Sequence, residues 1–232
     1  VIASAFVATS CKLPPKHEYE LAPGQEYDPS LETALLLPIN ETETLPEGLQ
    51  KGEVATFRLV RQYLQAQGLN VETPEITRFR RVRNAALKNA QRDSMSVSPS
   101  KILREVGLAD LISEIADKLA PKDDLVVVPD MVIRSGELNS KSLRWDGVRR
   151  VAPATERSKW SGTSSAASLH VAIFKADGTH LFSGYGGLDV LWIANIRARR
   201  MELIDDRLED EANLREGVCV AFYPYFGDGE SC

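Results

Sequence analysis

Residues 169–187 read Leu-His-Val-Ala-Ile-Phe-Lys-Ala-Asp-Gly-Thr-His-Leu-Phe-Ser-Gly-Tyr-Gly-Gly, two strand-like arms around an Ala-Asp-Gly-Thr turn. Asp177-Gly178 favours the twisted two-residue turn that a β-hairpin needs. That turn sets Lys175 opposite His180, Ile173 opposite Phe182 and Val171 opposite Gly184. Leu169, Val171, Ile173 and Phe182 then share one face, and Gly184 and Gly186 leave room beside them for a packed helix.

Strands and helices alternate before this hairpin. Ala34-Leu35-Leu36-Leu37-Pro38-Ile39 is a continuous apolar run of the kind a buried strand carries. Glu53–Gln67 places Val54, Phe57, Val60 and Leu64 at helical spacing, with Gly68 at the C-terminal cap position. Thr73 as N-cap and Pro74 at the first position open a second helix with Ile76, Phe79, Val82, Ala86 and Ala90 inward. A third helical region covers Pro99–Leu119, with Ile112, Ile115 and Leu119 inward and Gly107 as a break point. Leu125–Val128 is a second central strand, which Met131–Ile133 extends past Pro129.

Between that strand and the hairpin, residues 142–151 read as a partly exposed strand or hairpin, and Ala152–Ala167 as a polar loop. After the hairpin, Glu209–Phe222 puts Leu214, Val218, Ala221 and Phe222 on one side of a helix that ends before Pro224. The fold class that follows is α/β (α+β): one domain, a mixed β-sheet with a long hairpin, and helices packed on its faces.

A chain of 232 residues, 43% hydrophobic and 26% charged, supports one sizeable core. The net charge of −5 argues against general polyanion binding, so no nucleic-acid partner is expected. The basic run Arg78, Arg80, Arg81 and Arg83 is the exception, and Arg197, Arg199 and Arg200 form a smaller one. Both are solvated helix or strand faces or, alternatively, contacts to an anionic lipid surface or an acidic partner.

Catalytic and metal patterns are weak. Of three His, His17 precedes the domain, while His170 and His180 fall on opposite faces of the hairpin in the register above. Asp205, Asp206, Glu209 and Asp210 fit an acidic helix start better than a carboxylate metal site. Gly162-Thr163-Ser164-Ser165-Ala166, with Asp177 and His180 downstream, lacks the strand-to-helix turn of a nucleophile elbow. Gly184-Tyr185-Gly186-Gly187 lacks the spacing of a phosphate loop. No enzyme activity, cofactor or metal is expected.

The N-terminal region carries an address. Val1–Ala8 is an apolar stretch too short to span a bilayer, and it leads through Val7-Ala8-Thr9-Ser10 to Cys11. Residues 1–10 read as the remainder of a secretory signal, with an ordinary buried strand and a chance cysteine as the alternative. Residues 11–32 follow as a tether, because Lys12–Pro29 holds four prolines and no hydrophobic period. The domain covers 33–226 and a short tail 227–232. Export leaves Cys219 and Cys232 a single pairing, the alternative being a buried free thiol and a frayed terminus.

The string before Cys11 resembles the lipobox of bacterial lipoproteins, which implies lipidation of Cys11 and a membrane anchor. Lys12 after the cysteine implies the outer membrane. With the tether, the ALLLPI and LVVVPD strands, the ADG hairpin and a helix ending in Pro-Tyr-Phe, the chain resembles a group of envelope proteins. They share the α/β fold of the N-terminal domain of TolB, the periplasmic domain of CsgG, and LpoB. The resemblance implies a non-enzymatic lipoprotein facing the periplasm, acting through contacts with envelope proteins, with oligomers allowed. It transfers no site residue, and the membrane hairpins of CsgG have no evident counterpart. The alternative function is a small-molecule or lipid-binding auxiliary of an envelope transport system.

Overall fold

The structure, a computed structural model, describes residues 17–24, 27–39, 48–93, 108–119, 125–140, 142–151, 160–195, 200–227 and 232. Strands β1 (Tyr19–Leu21) and β2 (Thr33–Leu36) come first, then helix α1 (Glu53–Ala66), β3 (Asn70–Glu72), α2 (Ile76–Asp93) and α3 (Leu108–Leu119). β4 (Leu125–Ser140), β5 (Ser142–Trp145), β6 (Val148–Val151), β7 (Trp160–Lys175) and β8 (His180–Val190) follow. β9 (Trp192–Asn195), β10 (Arg200–Leu203) and α4 (Glu211–Phe222) complete the chain.

The main sheet runs β1-β8-β7-β4-β2-β3, parallel across β4, β2 and β3 and antiparallel elsewhere. Period-two alternation sends successive side chains to opposite faces, and both faces are covered. On one, Leu36, Val127, Leu169, Val171 and Ile173 meet Leu59, Val60 and Leu64 of α1 and Leu214, Val218 and Ala221 of α4. On the other, Leu35, Val126, Val128, Ala172 and Phe174 meet Phe79 and Ala86 of α2 and Ile112, Ile115 and Ala116 of α3. This is the expected mixed sheet in a single domain, with helices on its faces and a long hairpin.

The hairpin glycines serve packing. A Cβ on Gly186 would run into Gly217 O and Ala221 N of α4, and one on Gly184 would meet Ala221 O at 2.5 Å. Asp210 caps α4, its side chain accepting from Ala212 N and Asn213 N at 2.9 and 3.2 Å.

Several expectations are corrected. The hairpin loop has three residues, not two: Gly178 N donates to Lys175 O (2.9 Å), Lys175 N to Thr179 O (2.9 Å), and Gly178 has φ +86°. That is a turn closed by a bulge. Ile173–Phe182 and Val171–Gly184 pair as expected, but Phe174, not Lys175, faces His180. The slip carries His180 to the face that holds His170.

Within the segment expected as a tether, residues 17–24 and 27–32 pack on the domain. β1 pairs with β8, Tyr27 packs edge-on against Phe226 (4.7 Å between centroids), and His17 Nε2 lies 2.6 Å from Tyr223 O. Residues 17–24 and 27–32 therefore belong with the domain that was expected to begin at position 33. Residues 160–167, expected as loop, are strand, because β7 pairs with β4 along all sixteen of its residues. Glu75 takes the capping place expected of Thr73, its carboxylate accepting from Thr77 N and Arg78 N at 3.1 Å. Val54 is 79% exposed because the buried stripe of α1 runs through Thr56, Leu59, Val60 and Leu64, on the far side from it. Ala90, residues 99–107 of the third helical region, and residues 152–159 lie outside what can be described of side chain or backbone.

Candidate interaction surfaces

The residues singled out in the sequence do not converge. Cys11 lies outside the described residues. Cys219, on α4, is bonded to Cys232, with 5.5 Å between Cα atoms. Arg78, Arg80, Arg81 and Arg83 fall on the first turns of α2. Arg78 donates to Lys118 O at the C-terminus of α3 (3.0 Å), where a cation suits the carbonyl ends of a helix. Arg83 lies 5.9 Å from the centroid of Phe79. Arg80 and Arg81 point outward and are exposed. Arg197 and Arg199 lie outside the described residues.

Ser164 stands in the far half of β7, opposite Gly136. Asp177 and His180 lie at the turn that ends the same strand, some eleven residues and ~36 Å along it. No nucleophile, acid and base meet there. Among the described residues no three His, Cys, Asp or Glu side chains gather closely enough to hold a metal ion.

What the sequence did not announce is a polar cluster where the sheet runs on beyond α2 and α3. Arg134 (β4) lies 4.2 Å from the centroid of Tyr185 (β8) and donates to Glu18 Oε2 at 2.5 Å and to Asp146 at 3.3 and 3.4 Å. Ser168 Oγ donates to Asp146 Oδ2 (2.6 Å), and Gly187 N to Asp146 O (3.0 Å). His170 lies tilted against Tyr185 at 4.6 Å, and burial, with Arg134 nearby, lowers its pKa to about 4. A neutral imidazole and a carboxylate already shared by arginine and serine make a clamp. It ties the start of β1 and the β5–β6 turn to β4, β7 and β8, a set of residues far apart in the chain that no local motif could reveal.

Two open depressions complete the surface. Pro38, Val54, Phe57, Pro74 and Ile76, with Thr73 and Glu53 at the rim, form a shallow cleft of about 260 Å³ where β2 and β3 end. Val54 and Ile76 remain 79% and 38% exposed there. Between α1 and α4, Leu59, Tyr63, Ala66, Val218 and the Cys219–Cys232 bridge line a groove of about 400 Å³. Burial raises the Tyr63 pKa to about 12, and its hydroxyl donates to Phe226 O at 3.4 Å.

No known protein family matches the sequence, and no curated protein matches it.

Proposed function

We propose that this chain is an exported, lipid-anchored protein that faces the periplasm and acts without catalysis, holding a partner protein of the cell envelope. The observation that carries the contact role is the apolar cleft. Val54 and Ile76 expose aliphatic side chains around Phe57 and two prolines. Contiguous exposed apolar surface of that kind marks contact with another macromolecule, and the cleft is too small to bury a drug-sized ligand. Envelope export is supported by the Val7–Cys11 string and by a disulfide, which persists in oxidising compartments.

Crosslinking in intact cells tests the contact. Val54→Asp with Ile76→Asp is expected to abolish a reproducible crosslink to an envelope protein while leaving the fold intact. Retention of every crosslink in the folded double variant would remove the cleft from the account. The anchor is tested separately: Cys11→Ala is expected to move the protein into the soluble periplasmic fraction. Unchanged membrane association would refute lipidation.

Ligand carriage has one observation in its favour, the α1–α4 groove, whose volume falls within the range of small-molecule sites. Native mass spectrometry of protein taken from membranes would reveal a bound molecule that is lost in Tyr63→Ala.

A further inference from the structure

The outer face of the β5–β6 hairpin sets Arg144 directly opposite Arg149. Like charges in that position destabilise a strand pair, and neither guanidinium is held by an ion pair or hydrogen bond among the described residues. The hairpin is secured from its inner side. Leu143, Trp145 and Val148 are buried, and Arg150, 7% exposed, donates to Glu216 (2.5 Å) and to Asn213 O of α4 (3.0 Å). The outer pair therefore sets two like charges side by side on the exposed face. It overlooks an open groove of about 670 Å³ bordered by Asn139, Ser142 and Val151, the last 80% exposed. Glu137, opposite Arg144, is one acid against two cations.

Strand direction says what this face meets. Glu18 O accepts from Tyr185 N, Tyr185 pairs with His170, and His170 with Asp130. Followed backwards from Leu21 to Tyr19, β1 points in the direction in which β8 and β4 run, since β1 and β8 are antiparallel, as are β8 and β7, and β7 and β4. Along that direction Glu137, the neighbour of Arg144, lies seven residues past Asp130, or ~23 Å. Seven residues also separate Glu18 from Cys11, a reach of at most ~25 Å. An acylated Cys11 thus allows the bilayer to stand level with the arginine pair, and seven residues cannot carry it much further away.

We propose that Arg144 and Arg149 bind phosphates of lipid headgroups, fixing how the anchored domain sits on its membrane, with exposed Val151 beside them at the interface. The choice of a lipid phosphate over a free one rests on the anchored reading given above.

Vesicle flotation of the full chain carrying Cys11→Ser tests this without any acyl chain. Binding is expected to phosphatidylcholine vesicles containing phosphatidylglycerol, to weaken with salt, and to fall about thirtyfold in Arg144→Ala with Arg149→Ala. Arg149→Glu is expected to stabilise the hairpin, by pairing with Arg144, and still to lose binding, which separates folding from recognition. Undiminished binding in the double variant, equal binding to neutral vesicles, or an equal loss in Arg80→Ala with Arg81→Ala would overturn the assignment. So would calorimetric binding of inorganic phosphate to the pair with no flotation, which would make it a free-phosphate site. Mass spectrometry of residue 11 decides the anchor independently, so either idea can fall while the other stands.

Discussion

At the scale of single residues, His170 shows how burial sets a proton's place. Its ring lies tilted against Tyr185 beside the Arg134 clamp, and desolvation first, then the nearby guanidinium, lowers its pKa from 6.5 to about 4. Between those values the unfolded chain takes up a proton that the folded one does not. Stability is therefore complete above about pH 6.5 and is lost as pH falls towards about 4. Integrated over that window, the loss between about pH 7 and about pH 5 is about 2 kcal/mol. Urea unfolding of the protein should show it, and His170→Gln should flatten the slope even where it lowers stability at neutral pH. Asp189, whose pKa burial raises, contributes with the opposite sign and is common to both proteins, so their difference isolates the histidine.

At the scale of elements, β1 is the informative case. It has three exposed residues and no sequence signal, and it exists because β8 offers it an edge and Arg134 holds Glu18. Arg134→Ala should therefore release β1 before anything else opens. Amide exchange is the measurement: protection of Tyr185 N, which donates to Glu18 O, should fall, while that of Leu37 N, bonded to Val127 O in the parallel core, should not change. The same logic separates what was legible from what was not. α4, the centre of the hairpin and the glycines beneath the helix could be read locally, because apolar spacing and turn chemistry are written in adjacent residues. Residues 161–165, Ser-Gly-Thr-Ser-Ser, carry no strand pattern and are strand only because β4 lies alongside. Tyr27, in a stretch flanked by prolines, likewise takes its place from Tyr225 and Phe226, some two hundred residues away in the chain. Among the basic residues, the run on α2 was visible as a run. Arg144 and Arg149 were not, since their meaning comes from cross-strand register.

At the scale of the whole molecule, the C-terminal end is what closes the fold. α4 packs on the hairpin through glycines that admit no side chain, receives Arg150 from the β5–β6 hairpin, and meets α1 across the groove. The bond from Cys219 to Cys232 pins the tail onto that helix across a separation of 13 residues. A loop of that size removes about 3 kcal/mol of chain entropy from the unfolded state. That is a large share of the ~5–15 kcal/mol by which domains of this kind are stable. Reduction, or Cys219→Ser with Cys232→Ser, should accordingly lower the unfolding free energy by about that amount, read as a fall in the urea midpoint at unchanged slope. The far-ultraviolet spectrum should be unchanged, because the sheet and its two helical layers do not depend on the bridge. The loss belongs to the entire cooperative unit, so probes in β4 and in α4 should shift together. If α4 melted alone while β4 kept its midpoint, the C-terminal helix would be an appendage to the domain and not its closing layer.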